Sequence, residues 1–577
     1  MKKSRLYVFL LSFVLLFVSF GCNKQAIREE KELSFTISEK DYPSFKRVTD
    51  LFLEENPDYS IQYSIKNSNH LSYYLAHDKI DTDFVIVDDL VQLNLYGSSL
   101  LDITDSEALQ NFSSYIFNFI KNKDSRILAM PSPGKAYCYC VNLDLFEKYN
   151  LQVPTTIGEL KEFTAHLGTN LYPLVSSSPD NQIYLDYLMQ TTIPTFFSTA
   201  KGLAFFNDYI FSRKHIRESD SYSDFMDVLS NFKYLTNKEN FSIPSRDEAV
   251  KAFLNQKAFI LSVNPNFDLK KAYLESNASF RYEMRPFVGR QPSDRWVCSL
   301  PDFYLSCMQT SYPKKKKEIN AFFSFFSGEK AQEELRKDEG GNILANSFSY
   351  STSSDDMMSG AYEHLNPIVN HGRIFLLDEF LYAFRMSYAE IQDYALGLIS
   401  KTTLADYLDS NMFSANNYEK KTYYIPDFDC MSLSEEERRK RILSKISSDL
   451  KKRLLSDVLI LPDSFLIEDI FNGILYNFEL DIVFDSSLSI YAYEMKGRQL
   501  TSYLEENQAT LSADDTIAGI RKDDTGFLFN NRQPINSEAV YLIHMPYDLE
   551  QASYTKKGNP MKILSEYTQI IDEEYKK

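Results

Sequence analysis

Tryptophan is almost absent: Trp296 is the one indole in 577 residues, beside 39 tyrosines and 43 phenylalanines. An aromatic platform for a ligand must therefore come mainly from tyrosine or phenylalanine, and tyrosine keeps a polar handle as well. Basic charge is in deficit. Lys and Arg number 62 against 80 Asp and Glu, a net charge of −18, which argues against a general nucleic-acid binder because phosphate contacts need cations. Histidine is scarce. His70, His77, His166, His215, His364, His371 and His544 are scattered and form no compact metal pattern such as H-E-x-x-H. No G-x-S-x-G, phosphate loop or dinucleotide fingerprint is present, so nothing points to catalysis, a metal or a cofactor. Hydrophobic residues make up 44%, which fits a soluble globular chain and excludes a polytopic membrane protein or a largely disordered one.

What is present begins with an N-terminal address. Lys2, Lys3 and Arg5 precede an apolar run from Leu6 to Phe20, broken only by Ser12 and Ser19. A run of about 15 residues is short for a bilayer span and reads as a secretory signal. Gly21-Cys22 resembles the lipobox of bacterial lipoproteins, with Ser19 where leucine is usual. The resemblance implies removal of residues 1–21, acylation of Cys22, and a place outside the cytoplasmic membrane. An uncleaved N-terminal anchor is the alternative. Residues 22–32 are charged and aperiodic, a tether. Of the other cysteines, Cys138 and Cys140 sit two apart on one strand and read as buried small hydrophobes. Cys298 and Cys307 are either a disulfide pair or separate thiols.

The length suggests roughly three to five domain units. Leu33 to Ile37 alternates as a strand, and Phe45, Val48, Leu51 and Phe52 have helical spacing up to Asn56-Pro57. Tyr59 to Ile65 alternates again, and Phe84 to Val87 is a short buried strand bounded by acids. This order predicts an α/β domain with a largely parallel sheet, which takes ligands at the carboxyl ends of its strands.

From residue 126 the chain resembles the sugar-type family of extracellular solute-binding proteins. The resemblance rests on RILAMP (126–131), AYCYCVN (136–142), LDLFEKYNL (143–151), VPTT (153–156) with Glu159-Leu160, AFLNQKAFILS (252–262), AQEEL (331–335) and GGNILA (340–345). Asn142 and the Pro154-Thr155-Thr156 run mark helix starts, Asn150 stands where the family has a left-handed glycine, and Gln256 replaces another glycine. The implied fold is a two-lobed periplasmic-binding-protein-like α/β domain over 33–425. After a linker at 426–434, residues 435–577 resemble the C-terminal domain of 5′-nucleotidases, through DVLILPDSFLIED (457–469) with Gly473, the Leu488 to Met495 strand into Lys496-Gly497, and Pro534-Ile535 with Ala539 to Tyr541. That family's metallophosphatase motifs are missing. Pro462 and Ile467 occupy its phosphate-holding positions, so a hydrolase is disfavoured and a catalytically silent α/β (α+β) domain is expected.

The two resemblances imply a membrane-anchored solute-binding lipoprotein of an ABC import system, with permease subunits as partners and a sugar or oligosaccharide as solute. A surface or sensory lipoprotein that reuses both folds for partner binding is the rival. Strand ends nominate the ligand residues: Asp41 and Tyr42 after the first strand, Asp88 and Asp89 after the Phe84 strand, Tyr137 on the strand crossing between lobes, Ser177 after Leu174-Val175, Asn264 and Asn266 after the Ile260 strand, and Trp296 before the next. The basic run Lys314 to Lys317 reads as a solvated helix face.

Overall fold

The computed structural model describes residues 31–574 apart from 68–70, 88–96, 113–115, 168–169, 179–185, 235–244, 265–266, 337–342, 345–373, 377–383, 385, 418–421, 425–433, 469–473, 477–479, 508–510, 512–514, 525 and 550–553. The 1–21 segment, Cys22, most of the 22–32 tether, Asp88, Asp89, Asn266 and nearly all of the 426–434 linker lie outside the described residues. Two compact units divide the chain: Met1–Leu71, Ile80–Leu381 and Tyr388–Ala405 in the first, Ser72–Lys79, Tyr382–Ser387 and Asp406–Lys577 in the second.

In the first unit, β1 (Lys31–Ser38), α1 (Tyr42–Glu55), β2 (Tyr59–Lys66) and β3 (Phe84–Val87) lead to β4 (Ala129–Pro131) and β5 (Gly134–Asn142). Next come α2 (Leu143–Lys148), α3 (Ile157–Ala165), β6 (Tyr172–Ser176), α4 (Ala200–Ile210), α5 (Tyr222–Ser230), α6 (Arg246–Leu254) and β7 (Ala258–Val263). β8 (Tyr282–Arg285), β9 (Val297–Pro301), β10 (Tyr304–Cys307), α7 (Tyr312–Phe326), α8 (Glu329–Arg336), β11 (Ile343–Leu344) and β12 (Ile374–Leu376) follow. The first lobe is built on a five-stranded sheet in the order β2-β1-β3-β10-β4, with β1, β2 and β3 parallel and β10 antiparallel to both neighbours. The second is built on a seven-stranded sheet, β12-β9-β5-β7-β6, with β8 and β11 also paired to β5.

Periodicity explains the first lobe. Leu33, Phe35 and Ile37 alternate along β1 and are fully buried, and every residue of β3 is buried, as a strand covered on both faces requires. Phe45, Val48 and Phe52 turn one face of α1 inward, and Phe52 meets Phe322 of α7 at 5.2 Å between ring centroids. Phe35 stacks on Phe84 at 4.8 Å. The basic run opens α7, but it is not wholly solvated. Lys315 Nζ donates to the carboxylate of buried Asp83 at 2.8 Å, which also accepts from Ser34 N–H and Oγ–H.

The chain crosses between the two sheets at Ser132-Pro133, from β4 to β5, and returns at Asp302-Phe303, from β9 to β10. Ser132 ties the two crossings together. Its N–H donates to the Phe303 carbonyl at 2.9 Å, and its hydroxyl oxygen accepts from Asp302 N–H at 3.0 Å and Phe303 N–H at 3.1 Å. Cys138, Cys140, Cys298 and Cys307 are buried free thiols. Cys298, in β9 of the second sheet, and Cys307, in β10 of the first, are not bridged to each other.

The second unit contains β13 (Thr422–Tyr424), α9 (Glu435–Arg453), β14 (Val458–Pro462), β15 (Ile474–Tyr476), β16 (Ser489–Lys496), α10 (Gly497–Glu506), β17 (Asp515–Ala518), the hairpin β18 (Ile520–Asp523) and β19 (Gly526–Phe529), β20 (Val540–Met545), β21 (Thr555–Lys562) and α11 (Ile563–Glu574). Its main sheet runs β17-β14-β20-β16-β21. Leu459 and Leu461 of β14 join Ile442, Ile446 and Leu450 of α9 and Tyr567, Ile570 and Ile571 of α11 in one core. Val458 and Ile460 point the other way and pack with Leu500, Tyr503 and Leu504 of α10. Burial on both faces is why β14 reads as an unbroken apolar run rather than an alternating one.

Candidate ligand site at the strand ends

In the second lobe β6 runs parallel to β7, with Ser176 opposite Ser262, and β5 runs antiparallel to β7, with Cys138 opposite Val263. The carboxyl ends of β6 and β7 therefore open beside the start of β5. Three of the nominated residues meet there. Asn264 N–H donates to Ser177 Oγ at 2.8 Å, and Asn264 Nδ2 donates to the Tyr137 hydroxyl at 3.3 Å and to Ser178 Oγ at 3.2 Å. Ser177 Oγ donates to the Ser262 carbonyl at 3.1 Å, linking the two strand ends.

Behind this group lies a carboxylate that the sequence reading missed. Asp186 is 3% exposed. Its Oδ2 accepts from Ser176 Oγ at 2.5 Å and Ser262 Oγ at 2.9 Å, and Ser178 Oγ donates to Oδ1 at 2.8 Å and to Oδ2 at 3.0 Å. Burial pushes the Asp186 carboxyl above the usual carboxylate range, and the three serine hydroxyls pull against that shift. The chain then winds into a π-helical turn, Leu188–Thr192, whose residues are all buried. From it Gln190 Nε2 reaches Ser262 Oγ at 3.4 Å, and the Met189 carbonyl faces Cys298 Sγ at 3.4 Å. The Ser176-Ser177-Ser178 run after an apolar strand was a usable signal. Asp186 had none, since its partners come from 8 to 76 residues away.

In the first lobe Asp41 stands just before α1 and is buried, accepting from Ser38 Oγ at 2.6 Å while its N–H donates to the same oxygen at 3.0 Å. Tyr42, half-buried, sets its ring edge against Tyr63 at 5.0 Å. Burial raises the Tyr63 phenol to about 12. Trp296 lies among aromatic side chains. It is 5% exposed and packs on Phe197 at 5.7 Å, within a group that includes Phe206. The structure thus gathers Tyr137, Ser177 and Asn264, puts Asp41 and Tyr42 at a strand end of the other lobe, and sets Trp296 in the core.

Among the described residues no group of three or more His, Cys, Asp or Glu could hold a metal ion. Among them, too, no helix is long and apolar enough to cross a membrane.

No family model matches this chain. No curated protein matches it either. Solved structures do. A family 1 extracellular solute-binding protein from Bifidobacterium longum subsp. infantis shares 15% identity over 67% of this chain and 99% of its own, with a TM-score of 0.55. The bacterial solute receptor AcbH, described as having an exclusive preference for β-D-galactopyranose, shares 11% over 67% of this chain and 100% of its own, with a TM-score of 0.53. The apo form of RafE from Streptococcus pneumoniae shares 15% over 67% and 97%, with a TM-score of 0.51. Likeness at such identities shows the fold. The chain has the two-lobed periplasmic-binding-protein fold over about two thirds of its length, and further α/β structure beyond it.

Proposed function

We propose that this protein is an extracytoplasmic solute-binding protein of an ABC import system, anchored to the membrane through acylated Cys22, which takes a sugar or oligosaccharide between its two lobes and passes it to permease subunits. The observation that carries the reading is the meeting of Tyr137, Ser177 and Asn264 at the carboxyl ends of β6 and β7. A phenol, a hydroxyl and a planar amide in one place suit a polyhydroxylated ligand, which needs paired donors and acceptors together with an aromatic surface. Asp41 and Tyr42 supply similar chemistry at the end of β1. The solute-binding relatives in fold, one of them a galactopyranose receptor, support the same class of ligand. We assign to this role the part of residues 33–425 that belongs to the first unit. Residues 435–577 we read as a catalytically silent module related to the 5′-nucleotidase C-terminal domain, with Pro462 and Ile467 at the positions where phosphate would be held.

Calorimetric titration with galactose- and glucose-containing mono- to tetrasaccharides tests the assignment. One of them should bind at a single saturating site, and at 100 times its dissociation constant should add about 2.7 kcal/mol of stability. Asn264→Ala should weaken that sugar at least about tenfold, roughly 1.4 kcal/mol. A panel in which no saccharide binds, or a sugar whose affinity ignores Asn264, defeats the reading.

A further inference from the structure

Three hydroxyls surround the Asp186 carboxylate, and each has one hydrogen to give. Ser176, Ser178 and Ser262 all spend it on Asp186. Each serine oxygen is then left only with lone pairs, and each meets a donor. Ser176 Oγ accepts from Ser178 N–H at 2.9 Å, Ser178 Oγ from Asn264 Nδ2 at 3.2 Å, and Ser262 Oγ from Gln190 Nε2 at 3.4 Å. The direction of every bond follows from the charge at the centre.

We propose that Asp186 is a positioning residue of the solute site: its carboxylate orders three serine hydroxyls, which turn the amide nitrogens of Asn264 and Gln190 inward and so fix the face that Asn264 offers to a ligand. A proton placed on Asp186 makes it a donor. It also removes the charge that the three serines share, so the bonds of Ser178 and Ser262 to it weaken together, and with them the hold on the Asn264 and Gln190 amides.

No cation among the described residues bonds to Asp186. Among the described residues the titratable groups that feel it are Tyr139 of β5 and Cys298 of β9, and burial raises both well above their ordinary values, so both stay neutral. The strands β6 and β7 present serines, and the π-helical turn presents Gln190.

The inference takes Asn264 as part of the proposed site, but its test needs no solute. Full-length protein carrying 15N in its Asn and Gln side-chain amides is followed by NMR, with peaks assigned through Asn264→Asp and Gln190→Glu. As pH is lowered, the Asn264 and Gln190 amide signals should move together with one midpoint. Asp186→Asn should displace both signals and abolish that common titration. Ser178→Ala should displace Asn264 and leave the Gln190 titration in place. That variant and the wild-type titration decide the matter even if Asp186→Asn does not fold. Amide signals that ignore pH, that titrate with separate midpoints, or that Ser178→Ala moves alike overturn the relay. Failure of every sugar to bind would defeat the functional reading and leave this result standing.

Discussion

His544 lies in the middle of the second unit's sheet, 3% exposed, with its Nδ1 and Ser456 Oγ sharing a 2.8 Å hydrogen bond. Burial holds its imidazole below the ordinary histidine range, because the charged ring loses its solvation there. The unfolded chain keeps this histidine near about 6.5. Between the folded and unfolded values the unfolded chain binds a proton that the folded one refuses, so stability rises with pH through that window and is lost as pH falls below about 6.5. Denaturant unfolding of wild type and His544→Gln at about pH 7.5 and about pH 5.5, followed on the second unit, should show a smaller loss on acidification in the variant. Equal losses in both would mean that His544 does not titrate as argued. Sequence carried no warning of this pair, since Ser456 and His544 are 88 residues apart and meet only through the pairing of β14 with β20. Residues governed by local rules were readable. Asn150 and Gln256, standing in for family glycines, do take left-handed backbone with φ of 53° and 56°, and asparagine tolerates that region best after glycine.

The same contrast holds for whole elements. Helix starts could be read because a cap satisfies donors three residues away. Asn142 accepts from Leu145 N–H, and Thr156 with Glu159 forms a reciprocal box at the head of α3. The Glu159 carboxyl is held below its usual range, first by the Thr155 N–H and then by the Thr155 hydroxyl. The π-helical turn at Leu188–Thr192 and the Asp186 shell behind the strand ends could not be read, because their reasons are tertiary. The junction of β16 with α10 shows a motif glycine acting through packing. Gly497 lies so close to the loop before β20 that a Cβ there would stand 2.0 Å from the Asn536 carbonyl oxygen. The loop cannot easily retreat, since Gly497 N–H donates to the Ala539 carbonyl at 2.8 Å and Arg498 N–H to the Ser537 carbonyl at 3.1 Å. Gly497→Ala should therefore destabilise the second unit by about 1–3 kcal/mol, the range for overpacking a tight site. Thermal unfolding checks it, and a variant as stable as wild type would show that the loop moves freely.

At the scale of the molecule, chain order and spatial order part company. A reading by sequence alone gives residues 33–425 to one domain, yet the segment Ser72–Lys79 groups with the C-terminal unit. Tyr73 is fully buried in that unit's core with Leu443 and Ile446 of α9 and Leu459 of β14, and the Tyr74 hydroxyl donates to Glu468 at 2.9 Å. No periodicity signals this, because Leu71–Ala76 is a short helix whose apolar residues suit any core. The consequence can be tested by removing one ring in the full-length chain. Truncating a buried aromatic to alanine costs about 3–5 kcal/mol, and the core that loses it is the one formed by α9, β14 and α11. In Tyr73→Ala, amide hydrogen exchange should speed up in β14, β16 and α11, because protection follows the stability of the cooperative unit that must open. Exchange in β5 and β7 of the first unit should stay as in wild type. Faster exchange confined to β5 and β7, with β14 and β16 unaffected, would return residues 72–79 to the N-terminal domain where their position in the chain would put them.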